Sequence, residues 1–184
     1  MDVTTIVILA IVVMILTYVW SVYNNLATGK VRIKEALSGI DVQLKRRIEL
    51  IPNLIETVKG YVKHEKSVFE NVTKARSAMI SAGSLHDKAQ SDNMLTGALK
   101  SLFAIAENYP TLKASDNFKA LQEELEDTEN KIAYARQFYN TNARDYNTVL
   151  ANFPSGFFGK MFGFTSSEFF EATENEKKSV NVQF

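Results

Sequence analysis

Between Asp2 and Lys30 the chain carries no charged residue, and the eighteen residues from Val3 to Trp20 are almost wholly apolar, without Gly or Pro. Everything after such a segment is expected to be tethered to a membrane. At about 1.5 Å rise per residue, a helix from Val3 to Tyr23 spans roughly 30 Å, the hydrocarbon thickness of a bilayer. Val3, Ile6, Ile11 and Ile15 are then anchor residues, and Thr4, Thr5, Thr17 and Ser21 can bond their own helix. Tyr18, Trp20 and Tyr23 fall where interfacial aromatics are expected.

The competing assignment is a cleaved secretory signal, but such signals carry a basic first region and a small-residue cleavage site. Here the chain starts Met-Asp-Val, and no Lys or Arg precedes the span. Lys30, Arg32 and Lys34 follow it closely, so the positive-inside rule directs the N-terminus outside and the body into the cytoplasm, single-pass in the cell (inner) membrane.

About 155 residues remain, enough for one domain with a core. Lys plus Arg and Asp plus Glu balance at 21 each, so no net field draws the protein to nucleic acid. The absence of cysteine excludes disulfides and thiolate metal sites, and two histidines, His64 and His86, argue against a multi-histidine site. No cofactor is predicted. His64-Glu65 opens as a zincin helix does, but the second histidine four residues on is missing.

Proline punctuates the helical periods at Pro52, Pro110 and Pro154. Ile33, Leu37, Ile40, Leu44, Ile48 and Ile51 form one apolar stripe, which predicts a first helix from the membrane to about Leu50, with Gly29 a candidate hinge. Ile55, Val58, Val62, Phe69, Val72 and Met79 predict a second to about Ala82, followed by a loop over Ser81 to Asp92. A third covers Asn93 to Tyr109, and a fourth, Asp116 to Leu150, carries a three-four repeat from Phe118 to Val149, the mark of a coiled-coil seam or long bundle helix. The fold class is therefore all-α: a transmembrane helix (1–24) continuous with a long antiparallel four-helix bundle (25–152), then a Phe-rich membrane-proximal segment (153–170) and a tail (171–184).

Eight of the twelve Phe lie from Phe153 onward. If the fourth helix returns to the membrane, Phe153, Phe157, Phe158, Met161, Phe162 and Phe164 form an interfacial anchor with Lys160 at the headgroups; the alternatives are closure of the bundle base or packing on another copy. In the tail, Val180, Val182 and Phe184 alternate as an edge strand for a partner, or offer an apolar C-terminus to a peptide-binding domain. Disorder is the default there.

The most specific pattern runs Glu35-Ala-Leu-Ser-Gly-Ile-Asp-Val-Gln-Leu-Lys-Arg-Arg, then Leu50-Ile-Pro-Asn-Leu-Ile-Glu-Thr-Val-Lys-Gly-Tyr, then His64-Glu65. With Arg136-Gln-Phe-Tyr-Asn, Tyr146-Asn, Phe153-Pro and Phe169-Phe170-Glu171, it resembles the LemA family from about Tyr23 to the end. Leu37 stands where Trp is expected in many relatives. The resemblance implies a membrane-tethered helical bundle, usually bacterial, and supplies no biochemical activity.

Asp41, Arg46, Arg47, Pro52, Asn53 and Glu56 are the motif's chemistry-bearing residues, yet no nucleophile with a base, nor a pair of convergent carboxylates, is legible among them. Lys45, Arg46 and Arg47 lie over 30 Å from Tyr23 on an unbroken helix, beyond a Debye length of about 8 Å from lipid charge. Two roles remain open. Arg47 sets helix register by pairing with Glu49, Glu56 or Glu65, while Asn53 satisfies backbone groups freed at Pro52. Alternatively, this tip, with Leu50, Ile51 and Leu54 as its apolar centre, receives a partner. The functional expectation is a non-enzymatic scaffold that self-assembles or organises other membrane proteins. The competitors are an adaptor presenting its tip to a membrane protease or sensor, and an enzyme whose site is illegible. The expected partners are the bilayer and copies of the chain or other membrane proteins, with no nucleic acid and no small-molecule substrate.

Overall fold

The computed structural model describes residues 2–62 and 65–170. Among these the elements are all helical: α1 Val3–Lys59, α2 Lys66–Ser81, α3 Leu85–Ala106, α4 Pro110–Lys113, α5 Asp116–Ala151 and α6 Ser155–Met161. The chain divides into two compact units. The first comprises residues 2–38 with Arg136–Phe169, and the second Gly39–Ala135 with Phe170.

Pro52 does not end the first helix; α1 continues through it for two more turns to Lys59. Proline removes the N–H that would bond the carbonyl four residues back, which here belongs to Ile48. Arg76 Nε on α2 donates to that carbonyl at 3.2 Å, replacing the missing donor. The predicted second helix is therefore two pieces, the end of α1 and the separate α2. Gly60 follows the end of α1, and Tyr61 and Val62 turn back onto the Val58 carbonyl.

The loop expected over Ser81 to Asp92 contracts to residues 82–84. Ser84 and Asp87 form a reciprocal capping box, Asp87 N–H to Ser84 Oγ at 3.0 Å and Ser84 N–H to Asp87 Oδ2 at 3.2 Å, so the polar residues beyond it open α3. Hydrogen bonding to the carboxyl by the Ser84 side chain and, second, by the Ser84 N–H holds Asp87 below its ordinary pKa. At its other end α3 stops at Ala106, short of Tyr109, and Pro110 starts the brief α4. The helix predicted from Asp116 to Leu150 matches α5 to within one residue.

In the first unit the core is Val22, Leu26, Ile33 and Ala36 of α1 with Tyr139, Ala143, Tyr146 and Leu150 of α5. Gly29 lies inside unbroken α1, where an added Cβ would sit 3.0 Å from the Tyr146 ring, so packing accounts for a glycine there. The second unit buries Ile40, Leu44, Ile51, Leu54 and Val58 of α1, Val72, Ala75 and Met79 of α2, Leu95, Leu99 and Leu102 of α3, and Phe118, Leu125 and Ile132 of α5.

Candidate functional site

In the first unit, Val3, Ile6, Ile11 and Ile15 are all exposed, and Trp20 stands 69% exposed. Of the described helices, α1 is long and apolar enough to cross a membrane, and its most apolar window has no buried residue. Cover begins at its C-terminal side. The Tyr18 ring meets Phe158 edge-on with centroids 6.2 Å apart, and Tyr23 meets Phe162 at 5.4 Å and Phe164 at 5.6 Å.

These contacts lay α6 against the stretch of α1 around Tyr18–Leu26. Gly156 and Gly159 permit the approach: a Cβ on Gly156 would strike the Leu150 carbonyl oxygen, and one on Gly159 would fall 2.7 Å from Leu150 Cδ2 and 2.8 Å from Leu26 Cδ1. The glycines that weaken this segment as an isolated helix are thus its packing face. Its other face is bare, with Phe157 63% and Met161 60% exposed and Lys160 exposed between them in sequence, and Phe153, which precedes the helix, is 89% exposed.

Beyond α6 the non-helical backbone is strapped to α5 by side chains. Tyr146 Oη donates to the Thr165 carbonyl at 3.0 Å and Tyr139 Oη to the Glu168 carbonyl at 3.0 Å. Asn147 makes a two-way amide pair with Ser167, donating to its carbonyl and accepting from its N–H, both at 2.8 Å. Burial raises both tyrosine pKa values, that of Tyr139 further through the nearby Glu168 charge. The motif residues Tyr139 and Tyr146-Asn147 therefore have a structural task.

The second unit holds the polar cluster. Arg47 is 1% exposed; Nη1 donates to Asp92 Oδ1 at 2.7 Å, and Nη2 to Thr96 Oγ1 at 3.0 Å and Glu129 Oε2 at 3.2 Å. One guanidinium thus joins α1 to α3 and α5. Its partners are not Glu49, Glu56 or Glu65, which lie elsewhere along α1 or after it. Arg46 pairs with Glu124 and, at 3.7 Å, with Asp127, and Asp41 receives Lys88 Nζ at 2.5 Å. Arg47 Nε and Gln43 Oε1 remain the buried side-chain polar atoms without a hydrogen-bond partner among the described residues.

The tip imagined around Pro52 is taken apart. Ile51 and Leu54 are fully buried and Leu50 half-buried, so they supply core and no apolar docking centre. Pro52, Asn53 and Glu56 are exposed, and the backbone group freed at Pro52 is satisfied by Arg76 instead of Asn53. Nearby, Lys59, Lys66, Phe69, Glu70, Thr73, Lys74 and Ser77 line an open groove, with Lys59 Nζ 5.9 Å from the Phe69 ring centre. His64 and the strand residues Val180, Val182 and Phe184 lie outside the described residues. No group of three metal-ligating His, Asp or Glu side chains occurs among the described residues.

Sequence reasoning missed Asp92, Thr96, Glu129 and Arg76. One signal was available: extending the Leu95–Leu99–Leu102 stripe back by three places reaches Asp92, an acid on a buried face that demands a cation. Arg76 carried none, because its partner is a carbonyl.

The chain is similar to Magnetosome protein MamQ of Magnetospirillum gryphiswaldense, 26% identical over 174 residues, which cover 80% of this chain and 64% of that protein. Magnetosome protein MamQ 2 of Paramagnetospirillum magneticum is 27% identical over 175 residues, covering 81% and 64%. The alignments therefore span just under two thirds of these relatives. Protein LemA of Metamycoplasma hominis is 26% identical over 164 residues, covering 86% and 73%. The LemA family profile matches residues 36–184, which take in the Arg47 cluster, the tyrosine straps and the Phe-rich segment, and the chain belongs to that family.

Proposed function

We propose that this protein is a single-pass, membrane-tethered helical scaffold without catalytic activity, its N-terminus outside and its body cytoplasmic, that assembles with itself or organises other membrane proteins. One observation carries it: the apolar stretch of α1 is uncovered, while the same helix supplies a core face to packed structure further on. Uncovered apolar surface of that length matches the hydrocarbon thickness of a bilayer. The names of the MamQ relatives are compatible with a role at a magnetosome and add no activity.

An antiparallel four-helix body is part of the proposal. Support comes from the second unit, where partners descend α2 as α1 ascends, from Ile48–Arg76 to Lys59–Phe69, and ascend α3 with it, from Asp41–Lys88 to Arg47–Asp92. Exposed Val31, Val42 and Phe138 offer apolar surface for neighbouring copies. Alkaline carbonate should leave the full-length protein in the vesicle pellet, and sizing in mild detergent should show an assembly. Release by carbonate contradicts the tether, and a monomer at every concentration contradicts the scaffold.

The basic groove around Phe69 favours a second reading, an adaptor that takes an acidic segment of a membrane protein. A fluorescent glutamate-rich peptide should then bind the intact protein and lose binding in Lys66→Glu/Lys74→Glu. No binding, or binding that the variant retains, excludes that role for the groove.

A further inference from the structure

The bare face of α6 has a position that specifies its occupant. Phe158 touches Tyr18, Phe162 and Phe164 touch Tyr23, and Gly159 lies against Leu26, so the short helix is level with the end of the apolar span and the turn beyond it. Resting on the tether proposed above, we infer that Phe153, Phe157 and Met161 enter the lipid leaflet that the last turns of the span cross, with Lys160 at the lipid phosphates.

Three observations converge. Phe157 meets Phe158 edge-on with centroids 5.4 Å apart, and Phe158 in turn meets Tyr18 at the end of the uncovered stretch of α1, so the exposed ring stands beside the span within one compact unit. The inner face of α6 is fixed by glycine contacts, so its outer face is presented rigidly. Lys160 sits between Phe157 and Met161 in sequence, and a lysine stem can lie along apolar surface while its ammonium reaches the headgroups. A short wedge beside a transmembrane helix adds apolar contact with one leaflet and restrains the tilt and rotation of that helix.

The test uses the full chain in phosphatidylcholine vesicles, with Trp20→Phe removing the native tryptophan and single tryptophans introduced by Phe157→Trp, Met14→Trp or Tyr134→Trp. Lipids brominated near the glycerol end of the acyl chains should roughly halve Phe157→Trp emission, and aqueous acrylamide should quench it several-fold less than it quenches Tyr134→Trp. Bromines near the chain ends should quench Met14→Trp. If Met14→Trp responds but Phe157→Trp answers only to acrylamide, the wedge is wrong and the tether stands. Shielding of Phe157→Trp from both quenchers assigns the face to a second copy and also overturns the inference. Failure of Met14→Trp as well removes the tether itself.

Discussion

Where α1 passes through the second unit, ion pairs supplement its apolar packing on other helices: Asp41, Arg46 and Arg47 reach Lys88, Glu124 and Asp92. In the first unit the contacts are aromatic edges, glycine approaches and side-chain-to-carbonyl bonds, and neither Tyr18, Tyr23, Gly156, Gly159, Tyr139 nor Tyr146 brings a formal charge. The difference follows from surroundings. A buried ion pair is directional and fixes register, but its desolvation cost leaves little net stability, which suits a region needing one defined alignment. Next to a bilayer, ring edges and neutral hydrogen bonds bury without that cost.

Breaking the ionic hub should have the largest effect. Arg47→Ala takes from Asp92, 5% exposed, the guanidinium that neutralises it and should cost about 3–5 kcal/mol. Arg47→Met with Asp92→Leu should recover most of that loss in urea titrations in detergent, because apolar replacement of both partners removes both charges. If the double variant is as unstable as the single one, the cluster does more than set register.

Packing at the foot comes next. Gly156→Ala forces a methyl against the Leu150 carbonyl and should cost about 1–3 kcal/mol by overpacking, displacing α6 and opening the chain at Phe158 to limited chymotrypsin digestion. Gly39→Ala, with nothing within 4 Å of the added carbon, is the control and should leave cleavage unchanged.

The straps should give the smallest change. Tyr146→Phe removes one hydrogen bond and should cost about 1 kcal/mol. Both strap tyrosines have folded pKa values raised above the ordinary 10.0, so their contribution is complete below that value and is lost as pH rises through the folded pKa. Denaturation midpoints should fall above about pH 10, and Tyr139→Phe/Tyr146→Phe should flatten the fall.

The same contrast explains what could be read from the residues alone. The helical class and α5 follow from periodicity, since burying an apolar stripe leaves a repeat in the order of residues, and the span follows from an unbroken apolar run without charge. Pro52 misled because its usual consequence, a broken helix, was cancelled by Arg76, a compensation that exists only after folding. The segment before Asp92 misled because Ser84 and Asp87 read equally as loop polarity or as a capping box. Arg47 was recognisable as a pairing residue, but its partners lie on helices whose register was not encoded locally. The foot was legible as an apolar cluster; its division into a glycine-packed inner face and a bare outer one required the positions of Leu150 and Leu26.

The lipid environment of α1 is the claim on which the rest depends, and the absence of native cysteine makes it directly measurable. Single cysteines at Met14 and at Lys34 in the full-length protein, in vesicles with the body facing outward, can be challenged with a membrane-impermeant maleimide. The cysteine at position 34 should label rapidly, and that at 14 only after detergent is added. Equal labelling of both before detergent would place the apolar stretch in water and contradict the account.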